Sequence, residues 1–457
     1  MIPKNGSLPS VAVLLLALAA AGCSHDTGSL GLARGNTDPL VFTDNFGNGI
    51  GYQAFKGSKT TVLSVDKTQS HTGTSSLKVT VPGPSDPAGG YAGGALTSQQ
   101  PRDASDYNAL TFWAKASKVA TLDVAGVGND NTGTSKYQAS WTGIPLTTDW
   151  KKYVIPIPLT GKMRAERGMF YFAEGPEGGT GYTLWFDDIM FETLDTITNP
   201  RPGMRTQTLA AFVGMQYVVP GTRTTFSVAG TNQVVEHFPA YFTFVSSDGS
   251  VGQPGEGYIQ VIGPGSTTLT ASLGTVPAIG SVTLVCSNAP PVAAPTPTQP
   301  AGNVIALFSN AYAQVPVDTW SAEWDVADVT DFKVAGNDTK AYTNLVYAGI
   351  EFTAHPIDAT AMTHFHVDVW MENGTNFKIK LVDFGADGVF GGPGSDDREQ
   401  ELTFNGATNP PLTIGQWSSL DIPLADFTGL TTRAHVAQLI IEGDPGTVFL
   451  DNVYFHK

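Results

Sequence analysis

The sequence predicts an all-β protein assembled from β-sandwich domains, and three observations carry that prediction. Its apolar stretches are short, alternate with polar residues and are rich in Val, Thr, Phe and Tyr, the pattern of half-buried strands. Turn formers are abundant, with 51 glycines and 30 prolines, whereas charged residues make up only 14% of the chain. One ordered series of strand-like motifs also occurs twice. A length of 457 residues suggests about three domains.

From the N-terminus, residues 1–23 read as a signal peptide. The apolar run Val11-Ala-Val-Leu-Leu-Leu-Ala-Leu-Ala-Ala-Ala21 follows Lys4, is too short to span a bilayer and ends in Ala20-Ala21-Gly22-Cys23. It resembles a bacterial lipoprotein signal, which implies lipidation of Cys23 as the first mature residue; Ala20 stands where such signals usually carry a larger residue. An ordinary secretory signal is the alternative. Ser24 after the cysteine resembles the pattern sorted to the outer membrane of Gram-negative bacteria. No later segment is apolar enough to span a membrane, so the body is expected to touch the membrane through its lipid anchor alone. Residues 24–39 are polar and aperiodic, as in a flexible tether.

A first domain is expected over residues 40–195 and a last one over 303–457. The first reads Ser76-Leu-Lys-Val-Thr-Val81, Ala109-Leu-Thr-Phe-Trp113, Trp150-Lys-Lys-Tyr-Val-Ile-Pro-Ile-Pro-Leu159 and Trp185-Phe-Asp-Asp-Ile-Met-Phe191. The last reads Gly349-Ile-Glu-Phe-Thr353, His364-Phe-His-Val-Asp-Val-Trp370, Trp417-Ser-Ser-Leu-Asp-Ile-Pro-Leu424 and Phe449-Leu-Asp-Asn-Val-Tyr-Phe455. The order is shared, and two divergent copies of one sandwich is the simplest account. Between them, Asn199-Pro-Arg-Pro-Gly203 opens a middle domain over 196–287, and the Pro-rich residues 288–302 form an extended, semi-rigid linker.

These motifs resemble those of jelly-roll carbohydrate-binding modules with a galactose-binding-like fold, over residues 41–192 and again over 303–457. The middle domain, with Pro220-Gly-Thr-Arg-Thr-Thr-Phe-Ser-Val228 and Tyr241-Phe-Thr-Phe-Val-Ser-Ser-Asp248, resembles the bacterial Ig-like domains that serve as spacers. Together the resemblances imply a surface glycan-binding lipoprotein with two carbohydrate-binding sandwiches flanking an Ig-like one.

Charge and cysteine content narrow the partners. A net charge of -16 argues against nucleic acid and anionic lipid surfaces but tolerates neutral polysaccharide and cations. Cys23 and Cys286 are the two cysteines. Cys23 is committed to lipid or removed, so no intrachain disulfide is expected and Cys286 reads as a small core residue.

Sugars present apolar C–H faces and ring hydroxyls, so a binding groove needs aromatic platforms beside hydrogen-bonding groups. Candidates in the first domain are Tyr52, Tyr91, Asn129, Asp130, Tyr137, Trp141, Arg164 and Tyr171; in the last they are Trp320, Trp324, Tyr347, His366, Asp368 and Trp370. An aromatic in a sandwich is more often core than platform. Tyr91 stands out because Gly89-Gly-Tyr-Ala-Gly-Gly94 cannot form a core, and Trp141 because its neighbours are small and polar. Trp113, Trp150, Trp185 and Trp417 are assigned to packing. Alternation places His364, His366, Asp368 and Trp370 on one strand face; His364 and His366 lack an evident third metal ligand.

By the same resemblance a structural calcium is expected in each outer sandwich, held by Asp187 with Asp44 and by Asp451 with Asn310, the alternative being ordinary capping acids. Catalytic signatures are absent: there is no His-Glu-x-x-His and no Gly-x-Ser-x-Gly, and Glu174 with Glu177 and Glu399 with Glu401 show no glycosidase pattern. The expected function is therefore non-catalytic capture of extracellular polysaccharide, a β-glucan by resemblance, for an outer-membrane transporter or secreted glycanases. A glycoside hydrolase or lyase and a structural adhesin are the rivals.

Overall fold

The structure, a computed structural model, describes residues 35–391 and 394–457. Cys23, the signal peptide and most of the tether lie outside the described residues. Among the described residues the regular structure is strand apart from short 3-10 turns, and no helix is long and apolar enough to cross a membrane.

The sequence echo is a structural repeat. One sheet of the first sandwich runs Leu63–Asp66, Ser76–Val81, Tyr182–Glu192, Ala109–Ala116, Lys151–Pro156, with Leu40–Phe42 also pairing Tyr182–Glu192. The last sandwich runs Val326–Val334, Asn337–Glu351, Val436–His456, His364–Met371, Trp417–Pro423, with Val304–Phe308 on Val436–His456. The neighbours correspond strand for strand.

The closing Asp-Asp and Asp-Asn pairs have a local cause. Asp188 and Asn452 have φ of 44° and 50°, and the register with the opening strand shifts beside them. A bulge needs a residue that tolerates the left-handed region, which Asp and Asn do. The preceding carboxylate steadies each bulge: Asp187 accepts the Asp188 N–H at 2.8 Å and Asp451 the Asn452 N–H at 2.7 Å.

The first sandwich's other sheet runs Ile50–Ala54, Ala92–Arg102, Glu166–Glu174, Ala120–Val127, Ala139–Leu146 and continues through Thr231–His237, Arg223–Val228 and Ile197–Gly203 of the middle segment, eight strands in all. Between the two sheets, Phe112, Phe170 and Phe186 meet edge-on with centroids 5.4, 5.6 and 5.2 Å apart. Of the tryptophans assigned to packing, Trp417 packs against Phe212, Trp370 and Phe449, whereas Trp113, Trp150 and Trp185 pack on the outer side of the first sandwich and not in this core. Alternation turns Leu110, Phe112 and Ala114 inward and Trp113 and Lys115 outward. There Trp113 stacks on His71 at 3.6 Å, and Lys115 lies 5.7 Å and 5.4 Å from the rings of Trp150 and Trp185.

Apolar residues of the middle segment, including Ile259, Leu269, Leu284 and the buried Cys286, share one core with the first sandwich. Glu256 clasps the two together, accepting from Tyr137 and pairing with Lys136 and Lys162 at 3.2 Å each. On the last sandwich, the Pro-rich segment is docked: Trp417 donates to the Val292 carbonyl at 2.8 Å, Asn452 to that of Pro295 at 3.0 Å and Tyr312 to that of Gln299 at 2.9 Å.

Glu174 ends a strand almost fully buried, and burial pushes its carboxyl from 4.5 up to about 7. A folded value above the unfolded one means that the group's contribution to stability is complete below about pH 4.5 and lost as pH rises through about 7. Between pH 5 and pH 8, wild type should therefore lose up to about 3 kcal/mol relative to Glu174→Gln in denaturant melts. Parallel pH profiles for the two proteins would contradict this.

Candidate functional site

Directly paired residues of neighbouring strands point to the same side of a sheet. The register thus defines a row across the outer face of the eight-stranded sheet: Gln53, Ala95, Tyr171, Gly126 and Ser140, then Glu236 and Arg223 of the middle segment. Phe170 and Phe172 point the other way, into the core. The Tyr171 ring lies across Gly126, where any Cβ would collide with it, and the Tyr91 ring lies likewise across Gly93. The Tyr91 hydroxyl donates to the Lys56 carbonyl at 2.9 Å, and Phe55 meets Tyr171 edge-on at 6.4 Å. Strand glycines permit this close approach of rings to backbone. Burial raises both tyrosine pKa values, keeping the hydroxyls neutral and able to donate or accept. Beside Tyr171 opens a cavity of about 340 Å³ lined by Gln138, Ser140, Glu236, Arg223 and Phe238 among others.

In the last sandwich one eight-stranded sheet supplies the corresponding face, where other halves of Val436–His456 and Asn337–Glu351 pair with each other and with Phe377–Asp383, which pairs Arg398–Phe404. Here Trp324 lies over Gly349, repeating the ring-on-glycine arrangement. It stacks on Tyr347 at 6.1 Å, and its Nε1 donates to Glu351 at 3.0 Å. Gln438 donates to the same carboxylate at 3.2 Å. The adjoining groove, about 670 Å³, is lined by Trp324, Glu351, Lys380, Phe384, Phe390 and Glu399 among others. Trp324 and Phe390 are 47% and 57% exposed.

Tyr91 and Tyr171 therefore share one face, and Trp324 and Tyr347 share another; the remaining candidates fall elsewhere. Tyr52 faces inward, stacking on Phe172 at 6.5 Å and donating to the Gly93 carbonyl at 3.1 Å. Tyr137 packs on Tyr241 at 5.5 Å in the clasp. Trp141 lies 6.1 Å from Tyr153 in a separate cleft of about 610 Å³ that Asn232 and Gln233 also line. Asn129 and Asp130 shape their own loop by accepting the N–H groups of Asn131 and Thr132, and Asn131 ties that loop to the Ala54 carbonyl at 3.2 Å. Arg164 is exposed and lines neither cavity. Trp320 sits under Lys340 at 4.8 Å and against Phe308 at 5.5 Å.

His366, Asp368 and Trp370 do share a face, but the chain covers it. His366 stacks on Tyr454 at 4.5 Å, Asp368 accepts from Asn452 at 2.7 Å, and Pro295, Thr296 and Pro297 border the same cavity. Trp370 is buried with Phe449 and Phe212 of the middle segment. Contributors not anticipated from sequence are Phe55, Ser140, Glu236, Arg223, Glu351, Gln438, Phe384 and Phe390. Ser140, Glu236, Arg223, Glu351 and Gln438 are brought to their faces by long-range strand pairing that no local spacing encodes, and Phe55, Phe384 and Phe390 reach theirs from the loops that follow strands.

Among the described residues no three His, Cys, Asp or Glu side chains gather as a metal group. Asp44 and Asp187 grip one loop from two sides, Asp44 accepting the Ser75 N–H at 2.9 Å and Asp187 the His71 N–H at 2.7 Å. In the last sandwich Asp451 is fully buried, accepts from Asn337 and is held up to about 7 by burial. Asn310 donates to Asp338 at 2.9 Å, and Asn310 and Asn337 line one cavity. Asp451 lacks a cationic partner, but the Asn337 amide turns its nitrogen toward it and the Asn310 Oδ1 accepts the Asp338 N–H at 3.2 Å, so a cation here would need these amides to turn.

Residues 38–193 match the family model described as Carbohydrate binding domain 30. Among solved structures the chain is similar to the family 30 carbohydrate-binding module of a cellulosomal cellulase of Clostridium thermocellum, at 21% identity over 35% of this chain and 95% of that one, with a TM-score of 0.23. A family 11 module of the same organism, in complex with a β-1,3-1,4-mixed-linked tetrasaccharide, is 15% identical over 35% and 96%, with a TM-score of 0.25. A β-1,2-glucanase from Parabacteroides distasonis is 13% identical over 55% of this chain and 39% of its own length, with a TM-score of 0.25. No curated protein matches the chain. The matched residues take in nearly all of the first sandwich.

Proposed function

We propose that this is a non-catalytic, lipid-anchored protein of the bacterial outer membrane that captures a neutral, extended polysaccharide such as a β-glucan for uptake or degradation. The observation that carries the reading is the outer sheet face that holds the half-buried Tyr91 and Phe55 beside Tyr171, itself 8% exposed, inside the span that matches a carbohydrate-binding family. A net charge of -16 favours a neutral glycan over an acidic one. A second aromatic face at Trp324 and Tyr347 gives two contacts on one repetitive polymer, so effective concentration multiplies modest single-site affinities. Affinity electrophoresis against a neutral β-glucan, an α-glucan and an acidic polysaccharide tests it: selective retardation in the first is expected, and no retardation in any gel contradicts it.

Hydrolysis is the rival, since Glu351 and Glu399 line one groove. Both are already held by donors, Glu351 by Trp324 and Gln438 and Glu399 by Lys380 at 3.7 Å. Release of reducing ends from the same glycans would favour the rival.

The anchor reading predicts that Cys23→Ala releases the protein from the membrane fraction or blocks its processing; unchanged fractionation contradicts it. The calcium reading predicts that chelation lowers the melting temperature by the binding free energy, and that Asp451→Asn reduces this response. A chelator without effect on wild type would leave Asp187 and Asp451 as bulge-forming acids.

A further inference from the structure

We infer that the middle segment is not a spacer for the first sandwich but the wall of an additional sugar subsite, in which Ser140, Glu236 and Arg223 read one further unit of the same glycan. The inference rests on the binding reading above. Its basis is the continuity of the sheet: Glu236 pairs directly with Ser140 and Arg223 with Glu236, so the row that holds Tyr171 runs unbroken into the middle segment. Strands lie about 4.8 Å apart, so the four steps from Tyr171 to Arg223 span roughly 19 Å, beyond what the aromatic platform alone occupies.

The chemistry of the extension suits a sugar edge. Glu236 and Arg223 are exposed cross-strand neighbours, yet among the described residues neither is engaged in an ion pair. A carboxylate accepts from one hydroxyl while a guanidinium donates to the next oxygen, and together they match the vicinal hydroxyls of a pyranose. Both line the cavity of about 340 Å³ into which Tyr171 also faces, within the size range of small-molecule sites, roughly 300–1,000 Å³.

The junction is also preorganised. Phe238 N–H donates to the Gln138 carbonyl at 3.0 Å, Gln233 to the Val154 carbonyl at 2.8 Å, and the Glu256 clasp adds two ion pairs. Little ordering remains to oppose binding there.

Calorimetric titration of the intact chain, carrying Trp324→Ala to silence the last sandwich, with neutral β-gluco-oligosaccharides of increasing length tests the inference. Affinity should climb as the oligosaccharide outgrows the platform. Glu236→Ala and Arg223→Ala should each remove roughly 2- to 10-fold of the affinity for the longer ligands, the worth of a hydrogen bond or two, and leave the shortest binding ligand and the melting temperature unchanged. Ser140→Trp, which fills the row, should act like either. Variants that match the Trp324→Ala parent at every length would overturn the subsite while leaving the platform reading intact. A parent chain that binds no length would overturn both, and a Tyr91→Ala control that abolishes binding while Glu236→Ala does nothing would overturn the subsite alone.

Discussion

Replacing Trp324 by Ala, in a chain whose first face is weakened by Tyr91→Ala, should lower glycan affinity by about 1–3 kcal/mol, roughly 5- to 150-fold. Its melting temperature should hardly move. The indole is 47% exposed, held flat by Gly349 beneath it, stacked beside Tyr347 and fixed by its bond to Glu351. Truncation removes a platform that is already partly solvated, so little core is lost. Trp320 is the contrast within the same sandwich. It packs against Phe308 under Lys340, so Trp320→Ala should cost stability and leave the intrinsic affinity of the folded fraction intact. Equal affinity for Tyr91→Ala and the Tyr91→Ala, Trp324→Ala double variant in isothermal titration, with both proteins folded, would remove this face from the account.

The second large effect separates core from surface at adjacent positions. Phe112 is fully buried between Phe170, Phe186 and Tyr153, and Phe112→Ala should destabilise the protein by about 3–5 kcal/mol. Trp113 points to the opposite side, onto His71, and Trp113→Ala should cost roughly 1 kcal/mol, the worth of an aromatic contact outside the core. Denaturant melts of the two variants measure the difference. Comparable losses would mean that the outward tryptophan layer bears as much stability as the core.

Trp113 shows what a recurring motif does and does not encode. Recurrence fixed its place in the strand order, which the two sheets reproduce neighbour for neighbour. It carried no information on which side of the sheet the residue takes. That information lay in the alternation of Leu110, Phe112 and Ala114 with Trp113 and Lys115. Tyr91 was legible for the opposite reason: a tyrosine among glycines has no local core to join, and it lies on the outer face. Trp141 carried a similar polar context, but its cleft is made with Asn232 and Gln233, more than eighty residues on. Alternation places His366, Asp368 and Trp370 on one face, yet periodicity says nothing of what covers a face. Here the Pro-rich segment and Phe212 cover it. Glu236 and Arg223 sit in an ordinary hairpin by sequence, and only pairing of that hairpin with Ala139–Leu146 gives them a place beside Tyr171.

The measurement that tests the central claim most directly is a titration of the intact chain and its Tyr91→Ala, Trp324→Ala double variant with one neutral β-gluco-oligosaccharide, each paired with a thermal melt. The account predicts saturable binding by wild type and a loss of at least about tenfold in the double variant, with overlapping melting curves. Full affinity in a double variant that melts like wild type would contradict it, because the glycan would then be held by neither aromatic face.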